Sequence, residues 1–122
     1  MNDDLKTGQA GAEDVSARPL VGAVVIGRNE GDQMRVCLSS VLPHIQAAVY
    51  VDSGSTDGSV EMARGMGADV LSLDMGKPFT AARARNAGYQ RLLELHPQLC
   101  YVQFVDGDCE VVSGWIEAAR LY

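Results

Sequence analysis

Leu20-Val21-Gly22-Ala23-Val24-Val25-Ile26, followed at once by Gly27-Arg28-Asn29-Glu30, is the stretch on which the fold turns. An unbroken apolar run rich in valine reads as a strand buried on both faces, because a half-exposed strand would alternate with polar residues. The same pattern recurs at residues 47–51, 70–73 and 101–105. Between these runs the apolar residues take helical spacing. Met34, Cys37, Leu38, Val41, Leu42 and Ile45 form one stripe, with Pro43 as its stop. Residues 58–66 read as a short helix halted near Gly65 and Gly67. Ala81, Ala84, Gly88, Leu92 and Leu95 form a third stripe, from Thr80 to just before Pro97. A last helix is expected over 113–121, apolar at Trp115, Ile116 and Ala119, with Trp115 in the core.

This alternation predicts an α/β domain: a Rossmann-like, mostly parallel sheet with helices on both faces and right-handed crossovers. Residues 1–18 are polar and glycine-rich and are expected to form a flexible tail, leaving residues 19–122 as the domain. The pattern stops after a fourth strand and one helix. Most sheets of this kind continue, so the domain is expected to be truncated at its C-terminal side.

The 122 residues carry a net charge of −6 and no run of Lys or Arg, which argues against a nucleic-acid partner. A cation, or a ligand that arrives with one, suits the acidic balance better. No apolar stretch is long enough to span a bilayer, and residues 1–11 lack the apolar centre of a secretory signal. Cys37, Cys100 and Cys109 are scattered, so reduced, cytoplasmic cysteines are expected rather than a zinc site or a disulfide framework. A peripheral position at the inner face of a membrane is compatible with this expectation.

Ligands of open α/β sheets bind beyond the carboxyl ends of the strands. Gly27, Arg28, Asn29 and Glu30 follow the first run, and Asp52, Ser53, Gly54, Ser55, Thr56 and Asp57 end the second. Residues 74–77 follow the third, and Asp106, Gly107 and Asp108 the fourth. Every strand end therefore carries a carboxylate or a turn glycine. Asp106 and Asp108 would share one side if their stretch stays extended, with Gly107 allowing close approach of a ligand. Hard divalent cations take such oxygens together with substrate phosphates. Asp-Gly is also a common turn pair, so the motif alone is equally an acidic turn, and its place after a buried strand favours a site. Asp52 could accept hydrogen bonds from a base or ribose, whereas Asp57 is expected to cap the next helix. Arg83 and Arg85 are two apart on a helix, so one of them is expected at the cleft, where Arg85 could pair with the Asp106/Asp108 cluster or a diphosphate. His44 and His96 sit beside prolines at helix ends, neither has a nearby Ser or Cys arranged as a nucleophile, and no catalytic role is expected of them.

Four segments in order carry a family pattern: Val24-Val25-Ile26-Gly27-Arg28-Asn29-Glu30, Tyr50-Val51-Asp52-Ser53-Gly54-Ser55-Thr56-Asp57-Gly58, Ala84-Arg85-Asn86-Ala87-Gly88 and Phe104-Val105-Asp106-Gly107-Asp108. Together they resemble family 2 glycosyltransferases of the GT-A fold, over residues 20–119. The resemblance implies a nucleotide-diphosphate sugar donor, transfer with inversion to an unknown acceptor, and a divalent metal, Mn2+ or Mg2+. It implies that Gly27, Arg28, Asn29, Glu30, Asp52 and Ser53 hold the nucleobase side. It implies that Asp106, Gly107, Asp108 and Arg85 hold the diphosphate side, with Asp108 the first choice of metal ligand and Asp106 nearer the sugar or ribose. The sequence departs from the family in two places. Ser53 stands where many members have a second acid, and Gly27-Arg28-Asn29 replaces a segment that often contains an aromatic residue.

Family catalytic domains run to roughly twice this length, and their later half brings the acceptor site and the general base. Glu110 and Glu117, the acids after Asp108, lack that motif context. The alternative is therefore a catalytically incomplete nucleotide-binding or assembly module, whose open sheet edge a second copy could cover as a homodimer. A haloacid-dehalogenase-type phosphatase also ends a strand on Asp-x-Asp, but near the start of its fold, and no room remains here for its downstream motifs. No Gly-x-Gly-x-x-Gly follows the first strand, which disfavours a dinucleotide oxidoreductase.

Overall fold

In the computed structural model, which describes residues 20–78 and 80–120, the apolar runs form four strands. These are β1 (Val21–Gly27), β2 (Ala47–Asp52), β3 (Asp69–Ser72) and β4 (Tyr101–Asp106). The helices are α1 (Asp32–Val41), α2 (Ser59–Gly65), α3 (Ala81–Leu95) and α4 (Trp115–Arg120). A short 3-10 turn over Leu42–His44 follows α1, where Pro43 ends the regular helix. Thr80 caps α3, its hydroxyl accepting from the Arg83 N–H at 3.0 Å. The expected tail at residues 1–18 lies outside the described residues.

All four strands run parallel, in the order β3-β2-β1-β4. The chain winds outward from β1 to β3 and then crosses back to β4. This reversal makes the gap between the ends of β1 and β4 a topological switch point, where ligands of such sheets bind. The register puts Gly27 opposite Asp52 and Ile26 opposite Asp106, so the polar strand ends stand level.

Successive side chains point to opposite faces, and helices cover both. Ala23, Val25, Tyr50 and Val105 pack against Met34, Cys37, Leu38 and Val41 of α1 and Ala63 of α2. Val24, Ile26, Val49 and Val51 pack against Ala84 and Leu92 of α3. Each large buried side chain contributes about 1.5–3 kcal/mol. α3 comes very close to the sheet at Gly88, where a Cβ would collide with Val24 and lie 2.7 Å from Val51 Cγ2. Arg91 forks onto Asp69 (Nε–Oδ2 2.8 Å, Nη2–Oδ1 3.2 Å) and ties α3 to the start of β3. No helix among the described residues is long and apolar enough to cross a membrane.

The structure corrects one core assignment. Trp115 is 56% exposed, and Ile116 takes the buried place on α4. The indole N–H instead donates to Gln103 Oε1 at 3.3 Å, along the outer edge of β4. Among the described strands β4 has β1 as its one neighbour, so nothing there encloses the indole.

Candidate functional site

Ile26, Gly27, Arg28, Glu30, Ser53, Ala81, Arg85, Asp106 and Asp108 line a cleft of about 330 Å3 at the switch point. Residues expected from three separate strand ends thus meet in one place. Asn29, Asp52 and Gly107 do not line it, and each has a structural partner instead. A larger, more apolar hollow of about 500 Å3 adjoins it along β4, between Phe104, Val112 and Trp115. Arg28, Glu30, Ser53 and Asp108 line the smaller cleft alone, whereas Arg85 and Asp106 border both.

Of the two geometries open to the acidic motif, extended or turn, the structure has the turn. Pairing continues through Gly107, whose N–H donates to the Ile26 carbonyl at 2.7 Å, and the chain then closes with the Cys109 N–H on the Asp106 carbonyl at 2.9 Å. Both carboxylates still reach the cleft. Gly107 is closely packed: a Cβ would lie 2.6 Å from the end of the flexible Met34 side chain and 3.0 Å from the Ile26 carbonyl oxygen. The Glu30 stem passes beside both Gly27 and Gly107.

Arg85 and Arg83 divide as expected. Arg85 Nη2 lies 3.3 Å from Asp106 Oδ1, with the two side chains 42% and 53% exposed. A pair this open is worth at most about 1 kcal/mol, so either partner can exchange it for a ligand. Arg83 turns the other way, donating to the carbonyls of Asp74 (2.9 Å) and Pro78 (3.4 Å) and fastening the loop before α3.

Asp52 is 3% exposed and holds its own turn. Oδ1 accepts from the Tyr50 hydroxyl at 2.8 Å, and Oδ2 from the N–H groups of Gly54 (3.1 Å) and Ser55 (2.8 Å). Burial, and then the bond to Asp52, push the Tyr50 phenol above its ordinary value. Tyr50 was missed in the sequence, although a tyrosine in an otherwise aliphatic strand, two residues before an acid and so on the same face, is a usable signal. Ser53 is 1% exposed, and its hydroxyl has no hydrogen-bond partner among the described residues.

Asp57 serves the start of α2: Oδ1 accepts from the Ser59 N–H and hydroxyl, although Gly58 holds the cap position itself. Those bonds, the Ser59 hydroxyl first, draw its carboxyl below the ordinary range. On the far side of the cleft, burial pushes the Cys37 thiol up to about 12, with help from Cys109, Asp108, Asp106 and Glu30. The same acids raise the Cys109 thiol, after burial and its bond to Asp108. The cleft is therefore a concentration of negative charge that Arg28 and Arg85 answer only in part.

A parallel sheet in this order, with an acidic turn at the β1/β4 crevice, defines an α/β domain of GT-A type. The family model for glycosyl transferase family 2 matches residues 23–120, and the chain belongs to that family. Among solved structures it is similar to glucosyl-3-phosphoglycerate synthase from Mycobacterium tuberculosis in complex with Mn2+, uridine diphosphate and glucosyl-3-phosphoglycerate. The match has 20% identity and a TM-score of 0.54, which establishes a shared fold. It covers 90% of this chain and 41% of that one, so the chain spans well under half of the synthase. No curated protein sequence matches.

Proposed function

We propose that this domain binds a nucleotide-diphosphate sugar in the β1/β4 cleft, as the donor half of an inverting glycosyltransferase. Ser53 carries the reading. A buried hydroxyl without a partner costs about 1–3 kcal/mol, and this one belongs to a residue that lines the same cleft as Asp106 and Asp108. A ligand edge with both donors and acceptors, such as a nucleobase or ribose, removes that cost. Arg28, Glu30 and Ser53 then form the nucleobase side, with Gly27 giving room and Asn29 and Asp52 shaping the loops. Arg85 faces the diphosphate, whose geometry a guanidinium matches.

Asp108 and Asp106 offer the hard oxygens that Mn2+ or Mg2+ prefers. No three His, Cys, Asp or Glu residues among those described are grouped to hold a metal alone, which fits an ion completed by phosphate and water. Asp106 shares its charge with Arg85, leaving Asp108 as the first choice of ligand. When bound, the metal would offset charge on the leaving diphosphate. We place the reaction on the cytoplasmic side, free or peripheral to the inner membrane face.

One observation favours a second reading. Glu110 and Glu117, the acids after Asp108, are exposed and lie outside the cleft, so neither stands ready to deprotonate an acceptor. A domain without such a base would hold the nucleotide and leave transfer to further protein, or act as an assembly module with a second copy over β4.

Calorimetric titration with UDP, GDP and dTDP, with and without Mn2+, tests both. Metal-dependent binding that Asp108→Ala reduces by at least about tenfold is expected, a loss of about 1.4 kcal/mol. A folded chain that binds none of the three refutes the donor reading. Binding without transfer or donor hydrolysis selects the second.

A further inference from the structure

Two loops wall the cleft on its β1–β2 side, and they are fastened to each other. Asn29 is central to the fastening. Among the described residues it is the one non-glycine with positive φ, 53°. Its neighbours Arg28 and Glu30 line the cleft and Asn29 does not. Its Oδ1 accepts from the Thr56 N–H at 2.7 Å, and its own N–H donates to Ser55 Oγ at 2.9 Å. The Gly31 N–H donates to Asp57 Oδ2 at 3.0 Å, and the Ser53 N–H to the Gly27 carbonyl at 3.1 Å. Both loops contribute donors and acceptors, and the bonds span each loop from root to tip.

We propose that Asn29 and Asp57 are positioning residues that clamp the two loops into one rigid wall, holding Arg28 and Glu30 opposite Ser53 without touching the ligand. Position 29 makes two demands at once: a left-handed backbone and a side-chain acceptor. Asn and Asp meet both, Gly meets the first, and Ala meets neither well. A ligand contact through the carboxamide NH2 would rank these residues differently, because Asp lacks that donor. The effect on affinity rests on the donor reading above, whereas the coupling between the loops does not.

The test uses the full chain with Asn29→Ala, Asn29→Gly and Asn29→Asp. Amide exchange by NMR reads the clamp without ligand. Ala and Gly are expected to speed exchange about tenfold at Thr56 and equally at Gly31, whose acceptor on Asp57 is untouched, while the β1–β2 ladder amides keep their rates. Asp is expected to keep both amides protected. In calorimetry with Mn2+ and the best-bound of UDP, GDP and dTDP, Ala and Gly weaken binding about tenfold and Asp recovers it to within about threefold. Unchanged exchange at Gly31 overturns the clamp. Asp binding as poorly as Ala, with both amides protected, overturns positioning in favour of direct contact. Coupled exchange in a chain that binds no nucleotide upholds the clamp and refutes the donor reading instead.

Discussion

Tyr50→Phe removes one oxygen atom and tests whether the core holds the site in shape. Tyr50 is fully buried against α1 and α2, and its hydroxyl donates to Asp52 Oδ1 at 2.8 Å. Phenylalanine fills the same space but leaves that carboxylate oxygen without its partner, in a residue 3% exposed. Hydrogen bonds to charged groups contribute about 1.5–3 kcal/mol, so a loss of about 2 kcal/mol is expected. In a domain of this size that lowers the melting temperature by roughly 10 °C. Urea unfolding followed by far-UV circular dichroism measures the loss as a shifted midpoint at constant slope. The effect also has a pH signature. The folded phenol ionises above the ordinary value and the unfolded phenol near about 10. Its contribution is thus fully present below about pH 10 and is lost as the pH rises toward the folded value. The variant lacks that share of the alkaline loss. A change below about 0.5 kcal/mol at neutral pH, well under the hydrogen-bond range, would refute the reasoning and return Asp52 to the group available for a ligand.

Two further outcomes follow from the core. The Cys37 thiol, ordinarily at 9.0, is pushed up to about 12, so its contribution is present below pH 9 and is lost between those values. Wild-type unfolding midpoints should fall across that window by up to about 1.4 kcal/mol per pH unit more than those of Cys37→Ala, and parallel curves would contradict this. Gly88→Ala gains about 1 kcal/mol of helix propensity, but its methyl meets the stiff Val24 and Val51 side chains, and overpacking costs about 1–3 kcal/mol. A lower melting temperature is expected, and a rise would show that α3 can retreat from the sheet.

The fold was legible because each element announces itself locally. Valine-rich runs make the buried central strands β1 and β2, while β3 and β4 at the sheet edges are only partly covered, and Thr80, Pro43 and Pro97 mark helix ends with nothing more than neighbouring backbone chemistry. Trp115 was misread because its burial depends on what lies beyond β4, which local periodicity does not encode. The geometry at Asp106-Gly107-Asp108, turn or extended, was left open for a related reason. Gly107 is held by the Ile26 carbonyl, a partner 81 residues earlier in the chain, from 107 − 26. Residue type and position at a strand end pointed to Arg28, Glu30, Ser53, Asp106 and Asp108, and helix position to Arg85, but could not say which polar groups were already engaged.

That last distinction separates a site from a merely polar rim. Asn29, Asp52, Asp57 and Asp74 lie in or beside the loops that follow strands and Arg83 in the first turn of α3, and each bonds to backbone N–H or carbonyl groups around those loops. They make the loops stiff. Ser53 is buried without a partner, Asp106 and Arg85 share a single open ion pair, and Asp108 is exposed next to a thiol. These are the groups that face the cleft. A rim selected for solubility would leave its exposed groups uncommitted and its buried ones paired. Here a buried hydroxyl goes unpaired at the point where stiff loops converge, and under the donor reading proposed above a polar ligand of fixed shape would lower that cost.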